Sequence, residues 1–149
     1  MAEYALVFVH SYTSEAPNWS EVVFGIGGRE GRLCTARRLS REFGLSIVAN
    51  DGLDAGNRAC YAAHGIENIG TACNTYDEVV SALVRSGSGR VLFVSSPDHL
   101  PRVVRDALAA GGAASLFAAS EVSFSQAGPA GVTIGEPPHA KEQRENHDA

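Results

Sequence analysis

The amino-acid sequence predicts an α/β fold, a three-layer α/β/α sandwich around a mostly parallel, Rossmann-like sheet. Apolar, β-branched segments alternate with segments of helical periodicity along the chain, which is the pattern of a parallel sheet covered by helices on both faces. A chain of 149 residues, 44% of them hydrophobic, is long enough to fill one core. We therefore expect a single domain over residues 1–136 and a polar, flexible tail over residues 137–149.

The first half of the chain runs from an apolar segment through a polar loop to an amphipathic helix. Residues 4–10, YALVFVH, predict a buried strand, and the polar residues 11–20 predict a loop. Residues 22–26 fit either a short edge strand or an approach to the next helix. Residues 32–43 carry apolar or small residues at helical spacing and stop at Gly44, which favours a helix with a glycine C-cap.

The second half of the chain repeats the order of strand and helix. A helix over residues 53–64 is followed by Gly65, and the next helix opens at Asn74 or Thr75. That helix has two acidic residues in its first turn, where they are favourable against the helix dipole. Strands are predicted at residues 45–49, 66–69, 90–94, 115–118 and 132–134, and further helices at residues 74–85 and 101–110.

The composition argues against two classes of partner. With a net charge of −5 and a sequence pI of about 5.5, the protein has no basic field for a nucleic-acid backbone. No apolar segment reaches the ~18 residues that a membrane-spanning helix needs, and the first residues show neither a basic region nor a cleavage site. We expect a cytoplasmic protein with no nucleic-acid and no membrane partner, and a homo-oligomer is compatible with the sequence.

The three cysteines, Cys34, Cys60 and Cys73, lie far apart and form no CxxC pair. This spacing signals neither a zinc site nor a disulfide framework. We expect all three to be small buried hydrophobic residues.

Polar residues collect where the predicted strands end. In a parallel sheet, ligands bind beyond the carboxyl ends of the strands, because helix N-termini with free N–H groups converge there. We therefore predict at this edge a site for a small anionic, phosphorylated or nucleotide-like ligand. The candidate ligand-binding residues are Gly27, Gly28, Arg32, Asn50, Asn74, Thr75, Ser95, Ser96 and Arg102.

The glycine-rich segment GIGGREGR, residues 25–32, is ambiguous. Glycines such as Gly27 and Gly28 let backbone amides approach an anion closely. The segment matches neither the dinucleotide-binding pattern GxGxxG nor the P-loop, which ends in Lys-Ser/Thr. A turn whose glycines serve only the loop geometry is an equal alternative.

The segment SSPDHLPR, residues 95–102, gives the strongest signal. Arg102 follows His99 by three residues at the start of a predicted helix, where its guanidinium can grip a phosphate or carboxylate in bidentate fashion. His99 can transfer a proton near neutral pH, with Asp51 or Asp98 orienting it or acting as base, so these three are the candidate catalytic residues. The structural alternative is that Asp98 caps the helix and His99 bonds a backbone carbonyl.

Two other groups of residues near this edge carry weaker signals. His10 ends a strand there, and a hydrogen-bonded structural histidine is the simpler expectation. The carboxylates of Asp51, Asp77, Glu78 and Asp98 offer oxygen ligands for Mg²⁺, although acidic residues at helix starts are expected from capping alone.

The order of these motifs resembles the YdcF-like and SanA-like domain family of α/β proteins. The counterparts in this chain are Arg32 within GRLCTARRL, then VANDG, CNTYDEVVSAL and VSSPDHLPR. The last two are the most specific, and the resemblance covers about residues 21–110. Three features depart from the family pattern. Residues 50–52 read Asn-Asp-Gly in place of Ser-Gly-Gly, and Asp77 stands where glutamate is usual. The acidic residue that commonly precedes the Asn-Thr motif has no clean match, because Glu67 is displaced.

The resemblance implies a Rossmann-like fold and a site built from the His-x-x-Arg and Asn-Thr elements. One member of the family is reported to bind S-adenosylmethionine, which is the cofactor that the resemblance suggests ahead of Mg²⁺. The predicted function is an enzyme, a hydrolase or transferase, or a binding protein for a nucleotide-like or phosphorylated metabolite. The alternatives are a non-catalytic S-adenosylmethionine or nucleotide sensor and a structural or interaction protein.

Overall fold

A parallel five-stranded sheet forms the centre of the protein in a computed structural model that describes residues 3–125. The strands are β1 (Leu6–Val9), β2 (Gly25–Ile26), β3 (Arg29–Glu30), β4 (Ile47–Ala49), β5 (Glu67–Asn68), β6 (Val91–Ser95) and β7 (Leu116–Ala119). The helices are α1 (Trp19–Phe24), α2 (Arg32–Phe43), α3 (Ala55–Ala63), α4 (Thr75–Ser86) and α5 (Leu100–Ala109). The sheet order is β5-β4-β1-β6-β7, whereas β2 and β3 form a separate antiparallel pair.

Helices cover both faces of the sheet because successive side chains of a strand point to opposite faces. On one face Val7 of β1 belongs to a core cluster with Leu33 of α2, and α1 and α3 contribute to the same cluster. On the other face Phe8 belongs to a cluster with Val79 of α4 and Val103 of α5. The predicted three-layer α/β/α sandwich is confirmed. No helix within residues 3–125 is long and apolar enough to cross a membrane.

The order of the strands places a crevice at one edge of the sheet. Strand β1 is central, and its last residue, Val9, is in register with Ala49 of β4 and Val94 of β6. The chain fills one side of β1 with β4 and β5, then returns to fill the other side with β6 and β7. The connections therefore diverge at the carboxyl ends of β1 and β6, which is the usual ligand position in such sheets.

Residues 22–26 are divided between two elements: the first three belong to α1, and Gly25–Ile26 form the short strand β2, which is not an edge strand of the main sheet. Helix α1 takes the valines of this segment into the core, and Gly25 begins the hairpin of β2 and β3 instead of an edge strand. The conformation of Gly25 explains the change, because its φ is +100° and a Cβ there would lie 2.2 Å from the carbonyl oxygen of Arg29. Glycine is required at this close approach of two backbones.

The other predicted elements of the described region are present, with small shifts at their ends. Helix α3 starts at Ala55 and not at residue 53, because Asp54 caps the helix and Leu53 adopts a φ of +63°. The predicted strand at residues 132–134, the domain boundary at residue 136 and the predicted tail lie outside the described residues.

Candidate functional site

A cleft of about 470 Å³ opens beyond the carboxyl ends of β1 and β6. It is bordered by the loop after β1 and by the N-terminal ends of α3, α4 and α5. Its volume lies within the range of small-molecule sites, roughly 300–1,000 Å³. The cleft occupies the edge of the sheet at which the sequence predicts a ligand site.

Arg32, the first residue of α2, lines the floor of the cleft and is 2% exposed. Its Nε donates to Ser96 Oγ at 2.7 Å, and its Nη1 donates to the carbonyl oxygens of His10 and Ser11 at 3.1 and 2.9 Å. These bonds tie the end of β1 to the end of β6. Nη2 has no acceptor among residues 3–125. Burial lowers the pKa of Arg32 to about 10, so the guanidinium remains charged at neutral pH.

Glu78 of α4 brings a buried carboxylate to the same floor. Its Oε2 accepts a hydrogen bond from Ser11 Oγ at 3.2 Å, and its Oε1 lies 3.6 Å from Nδ1 of His10. His10 is 1% exposed and packs against Phe8 and Phe93. Neither ring nitrogen of His10 has a hydrogen-bond partner among the described residues. The expectation of a hydrogen-bonded structural histidine at position 10 is therefore wrong.

His99, the residue before α5, lies above this floor. Its Nε2 is 3.4 Å from Thr75 Oγ1 at the start of α4, and its ring centroid is 6.0 Å from that of His10. Arg102, one turn into α5, is half-buried and also lines the cleft. The His99 and Arg102 side chains thus face the same space as Arg32 and Glu78.

The rim on the α3 side contains two carboxylates that are held by local hydrogen bonds. Asp54 accepts bonds from the N–H and Oγ of Ser14 at 2.8 and 2.6 Å and from the N–H of Asn57 at 2.9 Å. Asp51 accepts bonds from Leu53 N–H, Asn68 Nδ2 and Arg58 Nε. Burial alone would raise the pKa of each carboxyl, but these hydrogen bonds outweigh burial and lower both pKa values.

Asp98 has a structural function that the sequence did not reveal. It accepts hydrogen bonds from the backbone N–H groups of Phe124 and Ser125 at 3.0 and 2.8 Å, and from Ser125 Oγ. It does not cap α5, which was the structural alternative, because the cap residue is His99 and the His99 side chain makes no capping bond. Asp98 instead positions Phe124, whose ring lies 6.1 Å from that of His99 and lines the cleft.

The structure brings together part of the predicted site. Arg32, Asp51, Thr75, His99 and Arg102 line the cleft. The residues outside its lining are Gly27, Gly28, Asn50, Asn74, Ser95, Ser96 and Asp98.

Each residue outside the cleft lining has an identifiable place. Gly27 and Gly28 form the exposed turn between β2 and β3, with φ of +60° and +81°, which is the turn alternative. Asn50 accepts a bond from Gly52 N–H, and Asn74 caps α4. Ser95 is fully buried at the end of β6, and Ser96 acts indirectly through its bond to Arg32.

The four carboxylates considered for Mg²⁺ do not converge. Asp77 bonds Asn74 at the exposed end of α4, and the other three are held at the separate places described above. Residues 3–125 contain no group of three or more His, Cys, Asp or Glu side chains that could hold a metal ion. Cys60 is buried as predicted, but Cys34 is half-buried and Cys73 is exposed on the cleft, so the prediction is wrong for these two cysteines.

Sequence reasoning underrated Glu78 and His10 as site residues. Glu78 had the appearance of a helix-start acid, which needs no ligand to explain it. A usable signal existed in the helical spacing, because Glu78 lies three residues after Thr75 and therefore faces the same side of α4. For His10, nothing in the sequence indicates that its two ring nitrogens would lack partners.

The chain matches no protein-family model, no curated protein and no solved structure. The resemblance to the YdcF-like and SanA-like family therefore stays a prediction.

Proposed function

We propose that the protein is an enzyme that binds a small anionic metabolite, phosphorylated or nucleotide-like, in the cleft. Arg32 carries this proposal. Its guanidinium is buried, lines the cleft and forms no ion pair within the described part of the chain. The carboxylate of Glu78 attracts this charge without contacting it. A buried charge without a counter-charge in direct contact is costly, and an anionic ligand would supply that contact.

Arg102 and the surrounding helices add to the attraction for an anion. The planar guanidinium of Arg102 suits a phosphate or carboxylate better than a lysine ammonium would, because it can donate two parallel hydrogen bonds. The N-terminal ends of α3, α4 and α5 border the cleft, and their dipoles favour negative charge.

His99 is the proposed general acid. It lies close enough to Thr75 for the threonine hydroxyl to fix the orientation of the ring. An imidazole can donate a proton to a leaving group at neutral pH, which is the step that a hydrolase or transferase of a phosphorylated substrate needs. Asp51 and Asp98, the predicted partners of His99, are instead engaged in local hydrogen bonds.

Thermal-shift measurements with AMP, glucose 6-phosphate, S-adenosylmethionine and inorganic phosphate test the proposal. A ligand at 100 times its Kd adds about 2.7 kcal/mol to the free energy of unfolding, and the melting temperature rises accordingly. A response to S-adenosylmethionine without turnover would favour the sensor alternative. If no compound changes the melting temperature, the cleft is not a small-anion site and an interaction role replaces the proposal.

Two variants then separate binding from catalysis. Arg102→Lys should weaken binding of the responding compound by about 1.5–3 kcal/mol with little change in stability, because the charge stays and the fork is lost. His99→Asn should keep binding while turnover falls by roughly 10²-fold. Lower melting temperatures with unchanged affinity in both variants would instead assign a structural role to these residues.

A further inference from the structure

Glu78 places a second buried charge on the cleft floor, opposite in sign to that of Arg32. Both residues line the cleft, and in the described structure they form neither an ion pair nor a hydrogen bond with each other. Ser11 lies between them, since its Oγ donates to Glu78 and its carbonyl oxygen accepts from Arg32. The floor of the cleft therefore presents two opposite charges, with Ser11 in contact with both.

Each of the two charges retains hydrogen-bonding capacity toward the cleft. A carboxylate can accept about four hydrogen bonds, and Glu78 accepts one from Ser11, with His10 Nδ1 just beyond hydrogen-bonding distance at 3.6 Å. An arginine has five N–H groups, and those on Nη2 of Arg32 have no acceptor in residues 3–125. A ligand that satisfies this floor must donate hydrogen bonds to Glu78 and accept hydrogen bonds from Arg32.

A ligand with negative charge alone fits this floor poorly. A phosphate placed against Arg32 is attracted by the guanidinium but repelled by the carboxylate of Glu78, because Ser11 contacts both residues and keeps them close to each other. A ligand with an ammonium group a few bonds from its acidic group instead meets an opposite charge at both positions.

From these observations, and resting on the proposed anion site, we infer that Glu78 determines specificity. The ligand class is a zwitterion, a phosphorylated α-amino acid or a compound with the same arrangement of groups. Its acidic group binds Arg32 and its primary ammonium group binds Glu78. His10 is a positioning residue: it is enclosed by Phe8 and Phe93 and lies against Glu78 Oε1.

The test compares O-phospho-L-serine with 3-phospho-L-glycerate, which carries a hydroxyl in place of the ammonium group. Calorimetric Kd values are measured for the wild-type protein, for Glu78→Gln and for Asp77→Asn. Glutamine keeps the size of Glu78 and an oxygen that can accept the bond from Ser11. Asp77→Asn removes the same charge from an exposed position on the same helix and serves as the matched control.

We expect the wild-type protein to bind O-phospho-L-serine at least tenfold more tightly than 3-phospho-L-glycerate. Glu78→Gln should weaken O-phospho-L-serine and strengthen 3-phospho-L-glycerate, so that the preference disappears, whereas Asp77→Asn should keep it. Equal wild-type affinities, or an equal change for both compounds in Glu78→Gln, would overturn the inference and leave the anion site standing. Binding of inorganic phosphate without binding of O-phospho-L-serine would do the same. If none of the three compounds binds while AMP or glucose 6-phosphate does, the inference fails and the anion site stands. If none of these five compounds binds, the proposed function fails as well.

Discussion

The rim and the floor of the cleft contain similar polar residues but use them differently. On the rim, Asp54 receives three hydrogen bonds from Ser14 and Asn57, and Asn57 in turn donates to the carbonyl oxygen of Tyr12. On the floor, Arg32 keeps one nitrogen without an acceptor among the described residues. Behind the floor, the two ring nitrogens of the buried His10 make no hydrogen bond within residues 3–125. The polar groups of the rim are satisfied by the protein itself, whereas the floor keeps hydrogen-bonding capacity that no residue within 3–125 uses.

This difference distinguishes polar groups that stabilise the fold from polar groups that are free to bind the ligand proposed above. A carboxylate with several short hydrogen bonds has little left to offer, however close to the cleft it lies. A buried polar atom without a partner requires another explanation, and a ligand is the simplest one at the mouth of a cleft. Substitutions of one floor residue, Arg32, and of two rim residues, Asp54 and Leu53, should therefore differ in their effects on stability and on ligand binding.

The largest effect should come from Arg32→Met. This change removes three hydrogen bonds and leaves the carbonyl oxygens of His10 and Ser11 without their donor. We expect the free energy of unfolding, measured with urea, to fall by about 2–4 kcal/mol, because each buried acceptor left without its donor costs about 1–3 kcal/mol and removal of the buried charge offsets part of that loss. Binding of AMP should be lost.

Arg38→Met is the matched control for Arg32→Met. Arg38 belongs to the same helix but is exposed, and its ion pair with Glu30 lies at the surface. Such pairs contribute less than about 1 kcal/mol. Equal losses of stability in the two variants would contradict the assignment of Arg32 as the buried link between β1 and β6.

Asp54→Asn should have an intermediate effect that depends on pH. An amide cannot accept all three bonds made to Asp54, so we expect a loss of about 1–2 kcal/mol at pH 7. The pKa of Asp54 is lower in the folded protein than its ordinary value of 3.8. Its stabilising contribution is therefore complete above that value and disappears as the pH falls through the lowered pKa.

Urea unfolding between pH 7 and pH 3 checks the prediction for Asp54. The difference between the wild-type protein and Asp54→Asn should narrow below about pH 4. Glu42→Gln, at an exposed position, should cost little at any pH. A difference for Asp54→Asn that stays constant from pH 7 to pH 3 would show that the charge of Asp54 is not what the rim uses.

The sequence predicts most of the fold because local and global signals agree. The periodicity of residues 32–43 and the glycine that follows give both ends of α2, and the apolar segments give each strand of the central sheet. The hairpin at Gly25 was missed because it depends on a close approach to Arg29, a contact that periodicity does not reveal. Leu53 was placed inside α3 for a similar reason, since its positive φ is set by the bonds of Asp51 and Asp54.

The sequence predicts the site less well because residue type does not reveal whether a polar group is satisfied. Asp51, Asp98 and Glu78 all follow a strand or open a helix, and they look equivalent in sequence. They differ in their hydrogen-bond partners. Asp98, for example, accepts hydrogen bonds from the N–H groups of residues 124 and 125, which lie far along the chain. Gly27 and Gly28 likewise look the same whether they approach an anion or turn a hairpin.

At Leu53, on the rim, a favourable hydrogen bond accompanies an unfavourable backbone conformation. Its N–H donates to Asp51 Oδ1 at 2.8 Å, but its φ of +63° is unfavourable for a residue with a Cβ. Its side chain lines the cleft and is 64% exposed, so the folded protein gains little from burying it. An apolar contact with a ligand would account for a leucine at a position that suits glycine.

Replacing Leu53 should therefore have the smallest effect on stability, and in the unusual direction. Leu53→Gly relieves the strain and should raise the free energy of unfolding by about 0.5–1 kcal/mol, after the larger entropy of glycine in the unfolded chain is included. Leu53→Ala keeps the strain and should leave stability nearly unchanged. Both variants lose the apolar surface, so both should bind AMP several-fold more weakly while their affinity for inorganic phosphate stays the same. Urea unfolding measures the strain, and calorimetry measures the contact with the ligand. If Leu53→Gly is less stable than the wild-type protein, the leucine packs to stabilise the rim. If both variants keep the wild-type affinity for AMP, Leu53 is not part of the binding surface.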